Sequence, residues 1–149
     1  MRFLITGGSG FIGYYLAQKL SSKKNNEIVL VDDFSRGKKD YQFDELIKRK
    51  NVNVLTGDLV EKSTWKSIGS NYDFCFHLAA KVGVQNVINN PYTTLSENIR
   101  MLDLAINNFN SCKNLKKFIF MSTSEIYAET ISKSMAVIPT PEVADIILP

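Results

Sequence analysis

Five short apolar runs, each followed by a longer stretch of mixed polarity, constrain this 149-residue chain more than any other feature. The runs are RFLIT (residues 2–6), EIVLVD (27–32), NVNVLTGD (51–58), YDFCFHLAA (72–80) and KKFIFMSTS (116–124). They are short, rich in β-branched and aromatic residues, and read as strands. Outside the NVNV start of the third, their apolar residues do not alternate with polar ones. A strand that presents no polar side is covered on both faces, which is the condition of a parallel sheet flanked by helices. The segments between them read as helices over 11–22, 38–50, a short 61–69 and a long 91–109. The last has Pro91 in its first turn, where a missing N–H removes no helical hydrogen bond. Strand–helix repetition with right-handed crossovers predicts an α/β fold, a doubly wound parallel sheet with strand order 3-2-1-4-5. After Tyr127 the rhythm fades. Residues 128–149 carry three prolines and no clear period, and read as loop.

Composition narrows the class. Apolar residues make up 44% and charged residues 22%, so the chain is globular rather than disordered. The net charge is only +3, and the basic residues fall in separate pairs and triplets at expected loops and helix ends. A nucleic-acid surface needs one basic face, so no nucleic-acid partner is expected. Cys75 and Cys112 stand far apart, giving neither a disulfide framework nor a metal spacing, and no metal site is expected. Cys75, inside FCFHLAA, reads as a small core residue. No apolar run approaches the ~18 residues of a membrane span. FLIT is too short for a signal peptide, so the expected compartment is the cytoplasm.

Gly7, Gly10 and Gly13 form G-x-x-G-x-x-G between the first strand and the first helix. Glycine permits a tight turn there, lets bare main chain approach a diphosphate, and lets the helix pack close to the strand. The helix N-terminus then offers free N–H groups and a partial positive charge to the phosphates. Asp32 ends the second strand, 19 residues past Gly13. A carboxylate in that place accepts hydrogen bonds from both hydroxyls of an adenosine ribose and repels a 2′-phosphate. The expected fold is therefore Rossmann-type, and NAD is favoured over NADP as cofactor. Arg36, Lys38 and Lys39 follow closely and soften that preference.

TGGSGFIG (6–13) resembles the fingerprint of the extended short-chain dehydrogenase/reductases, the NAD-dependent nucleotide-sugar epimerases and dehydratases. The resemblance spans residues 2 to 127, read as the NAD-binding domain. It brings Gly7, Gly10, Phe11, Ile12 and Gly13 to the cofactor. VDDFSRG (31–37) resembles the family's adenosine-ribose loop, which assigns Asp32 to the ribose and Asp33, Ser35, Arg36 and Gly37 to the adenosine end. GDL (57–59) resembles the segment that meets the adenine edge, through Asp58 and Leu59. HLAAKVGV (77–84) resembles the end of strand four, where Leu78, Ala79 and Ala80 let the cofactor pass close by. Asn98 resembles the long-helix asparagine that steadies the active-site region.

MSTSEIY (121–127) is similar to the corresponding segment of sugar 4,6-dehydratases and UDP-glucuronate decarboxylases. The resemblance implies that Thr123 hydrogen-bonds the reacting sugar hydroxyl. It also implies that Glu125 is the base at sugar C5, with Ser124 beside the leaving hydroxyl. A C4 ketone acidifies the C5 proton, and a positioned carboxylate removes it. The alternative is that Ser122, Thr123 and Ser124 simply cap the strand end. The family's acid–base pair, Tyr-x-x-x-Lys, has no counterpart after Thr123, since the residue four past Tyr127 is Ile131. Residues 128–149 are accordingly read as the loop leading to an absent catalytic helix, with the sheet incomplete on its C-terminal side. The chain alone is expected to be inactive.

An apolar patch is then expected, with Val137, Ile138, Ile146, Ile147 and Leu148 as residues able to fold over it. The intact enzyme is expected to take a nucleotide-sugar and to form a homodimer. His77, the one histidine, reads as a core residue with a local hydrogen-bond partner. Trp65 and the Tyr14–Tyr15 pair read as packing residues. Two rival readings stay open: a non-catalytic dinucleotide-binding module or sensor, and an NADP-linked reductase acting on a non-sugar carbonyl.

Overall fold

The strands Arg2–Thr6, Glu27–Asp32, Val52–Thr56, Phe74–His77 and Lys117–Phe120 (β1 to β5) form one sheet in a computed structural model that describes residues 1–37, 40–133 and 137–147. Every pairing is parallel and the order is β3-β2-β1-β4-β5, as expected. The helices are Phe11–Ser21 (α1), Tyr41–Ile47 (α2), Lys62–Ile68 (α3), Val84–Asn89 (α4), Pro91–Phe109 (α5) and Ala128–Ser132 (α6). A single 3-10 turn, Ser124–Tyr127, precedes α6.

The runs of β1, β2 and β4 lack polar alternation because successive residues enter two different cores. Leu4, Val29, Val31 and Cys75 pack with Trp65 and Ile68 of α3 and with Met101, Leu104, Ala105 and Phe109 of α5. Phe3, Ile5, Ile28 and Leu30 point to the other face, against Ala17 of α1 and Phe43 and Leu46 of α2. Side chains alternate across a strand, so a sheet covered on both faces needs apolar residues at every position. The C-terminal ends of all five strands lie at one end of the sheet because all run parallel. The loops there build the site.

Local chemistry sets several boundaries differently from the sequence reading. The second helix starts at Tyr41, because Asp40 caps it by accepting from the Phe43 amide at 2.8 Å. Lys38 and Lys39 lie outside the described residues. The fourth strand stops at His77 and the fifth at Phe120, so the Leu78–Ala80 run and Ser122–Ser124 leave the sheet.

Two helices were not anticipated. The first, α4, places Val84, Val87 and Ile88 at helical spacing but buries no residue. The second, α6, falls inside the stretch read as loop. Its Thr130 hydroxyl is buried, donates to the Asp145 carbonyl at 2.8 Å and accepts from the Ile147 amide at 3.1 Å. That bond pair ties the tail to α6. It leaves Ile147 half-buried, while Val137, Ile138 and Ile146 remain exposed. Leu148 lies outside the described residues. Trp65 packs in the core as expected, whereas Tyr15 stands half exposed, edge-on to an exposed Phe11. No described helix is long and apolar enough to cross a membrane.

Candidate functional site

The glycine turn joins β1 to α1 and forms the floor of a cleft at the C-terminal end of the sheet. Its three glycines have three different reasons. Gly7 sits at φ +70°, a conformation that suits glycine, and a Cβ there would come within 2.9 Å of the Ala79 amide nitrogen. Gly13 is in the first turns of α1, and a Cβ there would lie 2.2 Å from the Gly7 carbonyl oxygen. Both therefore permit close backbone packing. A Cβ on Gly10 meets only the Gly7 carbonyl, at 3.3 Å. Gly10 lines the cleft and is the N-cap of α1, with no side chain capping the helix.

At the end of β2, Asp32 turns back over this floor. One carboxylate oxygen accepts from the Ser9 amide at 2.9 Å and the other from the Phe34 amide at 2.9 Å. A carboxylate has about four acceptor sites, so these two bonds fix its orientation and leave capacity for two hydroxyl donors. Among the described residues the buried Ser9 hydroxyl has no hydrogen-bond partner, and a Cβ on Gly37 would come 1.8 Å from Ser9 Oγ.

The loops after β2 and β4 exchange cations. Lys81 reaches Asp33 at 3.5 Å and Glu97 at 3.8 Å, while Arg36 donates to the Val82 carbonyl at 3.1 Å. Partial burial acts to raise the Asp33 pKa. The hydrogen bonds from the Ser35 hydroxyl and amide, with the charge of Lys81, outweigh it and hold the carboxyl below its usual range. Asn98 on α5 pins the backbone of Lys81 from both sides: it accepts from the amide at 2.8 Å and donates to the carbonyl at 2.9 Å. Asp58, past β3, is held by the Val60 amide at 3.0 Å.

These loops enclose a cleft of about 710 Å3. It brings together Gly7, Gly10, Phe11, Asp32, Asp33, Ser35, Arg36, Gly37, Asp58, Leu59, Leu78, Ala79 and Ala80, all singled out from the sequence. It does not include Ile12, Gly13 or Asn98 in its wall. Gly13 shapes the turn and Asn98 holds Lys81. Thr123, Ser124 and Glu125 are exposed at the end of β5, on the same end of the sheet but outside the cleft wall. Thr123 Oγ1 accepts from the Glu125 amide at 3.3 Å, a local cap of the 3-10 turn.

Sequence reasoning did not assign Ser9, Lys81 or Glu97 to the cleft. Ser9 carried a usable signal, its place inside the glycine run. Glu97 and Thr93 reach the wall only through the packing of α5, which no local pattern reports. The Tyr-x-x-x-Lys spacing does occur once, at Tyr15 and Lys19 on α1, and neither residue lines the cleft.

The cleft fits an extended dinucleotide. Its floor is bare main chain at Gly7 and Gly10, and a carboxylate with spare acceptor capacity closes one end.

A family model described as the NAD dependent epimerase/dehydratase family matches residues 3–143. Among curated relatives, a UDP-N-acetyl-alpha-D-glucosaminuronate decarboxylase of Bacillus cytotoxicus is 35% identical over 136 residues, covering 86% of this chain and 38% of the relative. A UDP-glucuronic acid decarboxylase 1 of Danio rerio is 32% identical over 133 residues, covering 86% and 28% respectively. The chain thus spans well under half the length of these relatives. Among solved structures, a UDP-glucuronic acid 4-epimerase from Bacillus cereus, in complex with UDP-glucuronic acid and NAD, superposes with a TM-score of 0.79 at 27% identity. That match covers 99% of this chain and 46% of the other.

Proposed function

The chain belongs to the NAD dependent epimerase/dehydratase family, and from that premise we propose that residues 1–127 are the NAD-binding part of an enzyme that oxidises a nucleotide-sugar at C4. The observation that carries the reading is the pairing of the bare Gly10 floor with Asp32, whose two oxygens are already oriented by the Ser9 and Phe34 amides. Asp32 holds the adenosine ribose hydroxyls. Gly7 and Gly10 let the diphosphate lie on main chain, and Asp58 and Leu59 meet the adenine edge. When bound, NAD supplies a hydride acceptor for the sugar C4.

Thr123, Ser124 and Glu125 handle the sugar in this reading. Support comes from their position past β5, at the sheet end where open α/β folds place ligands. Thr123 orients the reacting hydroxyl, and Glu125 takes the C5 proton once a C4 ketone has acidified it. The sequence after Thr123 contains no Tyr-x-x-x-Lys pair, so the chain by itself binds the cofactor without completing turnover.

Calorimetric titration with NAD tests the reading. A saturable binding heat is expected, with NADP binding more weakly because Asp32 repels a 2′-phosphate. No heat and no thermal shift up to millimolar NAD would overturn it.

A further inference from the structure

The loops after β2 and β4 meet at two points. The Lys81 ammonium lies 3.5 Å from Asp33 Oδ2 and 3.8 Å from Glu97 Oε2. The Arg36 guanidinium donates to the Val82 carbonyl at 3.1 Å. In the sheet, β1 lies between β2 and β4. Contacts that join the loops after β2 and β4 therefore cross the end of β1, where the glycine turn begins. Asp33, Arg36, Lys81 and Val82 all line the cleft, as do Gly7 and Gly10 of its floor.

The two sides of this crossing are held differently. On the β4 side, Asn98 bonds both the amide and the carbonyl of Lys81, at 2.8 and 2.9 Å, and fixes its backbone to α5. On the β2 side, Phe34 packs edge-on to Phe43, with ring centroids 5.7 Å apart. Just past it, the Ser35 amide and hydroxyl both donate to Asp33 Oδ1, at 2.9 and 2.6 Å. Asp33 thus shapes its own loop with one oxygen and presents the other to Lys81. Both distances from the ammonium exceed those of a tight charge-assisted hydrogen bond, about 2.7–2.9 Å. The Lys81 side chain, a third exposed, is shared between two carboxylates rather than locked to one. Ion pairs so open to water are weak and part readily.

We propose that Lys81 and Arg36 strap the cleft: the dinucleotide lies beneath their contacts, the strap parts for it to enter or leave, and Lys81 sets the rate of that exchange. Lys81 is a positioning residue, acting on the cofactor through Asp33 and residues 35–37. Those residues are the moving half, because the Lys81 backbone is fixed to α5. The control of exchange rests on the function proposed above; the contact between the loops does not.

Lys81→Met keeps the aliphatic stem and removes the charge. Asp33→Asn keeps an acceptor for Ser35 and turns a neutral amide towards Lys81. Without cofactor, amides 35–37 are expected to exchange with solvent faster in each variant than in the wild type. NADH bound to the chain is then chased with excess NAD, and its fluorescence reports release. Release is expected to quicken about three- to fivefold in each single variant, the scale of one exposed ion pair. Both variants break the same contact, so the double variant is expected to release no faster than the quicker single one.

Release from Lys81→Met at the wild-type rate would overturn the proposal. So would additive effects in the double variant, since Lys81 and Asp33 would then hold the cofactor separately. Unchanged exchange of amides 35–37 in both variants would remove the strap itself. Amide exchange as expected in a chain that binds no NADH refutes the function of the cleft and, with it, the control of exchange, while the contact between the loops stands.

Discussion

His77 shows how one buried residue couples the core to pH. Burial pushes its pKa down from 6.5 to about 4, so the folded chain keeps the ring neutral. Between those two values the unfolded chain binds more protons than the folded one, so stability falls as pH drops from 6.5 towards 4. The full effect is about 3 kcal/mol. Urea midpoints taken at pH 7 and pH 4.5 are expected to show the loss in the wild type and a smaller loss in His77→Gln. Asp32 carries the complementary prediction for binding. Asp32→Ala is expected to weaken NAD about tenfold or more in calorimetry, more than any other change in the ribose loop, because hydrogen bonds to a charged group are the strong ones. Unchanged affinity would remove Asp32 from the site. The place of Asp32 beside the glycine turn was legible because an acid ends a strand at the right distance from that turn. Its anchoring by the Ser9 amide was not, since that bond joins residues 23 apart.

At the scale of elements, the strand-to-helix turn separates two kinds of glycine. Gly13→Ala drives a Cβ into the Gly7 carbonyl and is expected to destabilise the fold by about 1–3 kcal/mol in thermal or urea unfolding. Gly10→Ala is expected to cost no more than about 1 kcal/mol of stability, the scale of an N-cap change. Gly10 lines the cleft floor, so NAD binding is expected to suffer far more than folding. Equal effects of the two changes on folding and binding would contradict this division.

The crossed contacts between the loops after β2 and β4 give a further expectation. Lys81→Met removes the cation facing Asp33 and Glu97. The Asp33 carboxyl is then expected to titrate closer to its ordinary value of 3.8, followed by NMR, and amides 33–37 to exchange faster with solvent. The glycine spacing showed that a turn had to lie here. Which glycine served packing and which served the cleft depended on what stood opposite each one.

Across the whole molecule, the two faces of α5 have different fates. Met101, Leu104, Ala105 and Phe109 enter the core. Tyr92, Leu95, Ile99 and Ile106 are exposed, as are Val84 and Ile88 of the neighbouring α4. An apolar surface of this kind favours association. We expect the chain to self-associate in sedimentation velocity and the double variant Leu95→Arg/Ile99→Glu to sediment as a monomer. A sharp monomer boundary for the wild type would refute this.

Strand number, helix alternation, sheet order and the place of the glycine turn were determined by the sequence alone, because hydrophobic periodicity and glycine geometry act locally and leave local marks. The wall of the cleft was decided only by the tertiary structure. Ser9 meets Asp32, Thr6 tethers Ala79, and Lys81 spans Asp33 and Glu97 because parallel strands bring distant loops to one end of the sheet. Contacts at such separations have no period or spacing in the chain from which they can be read.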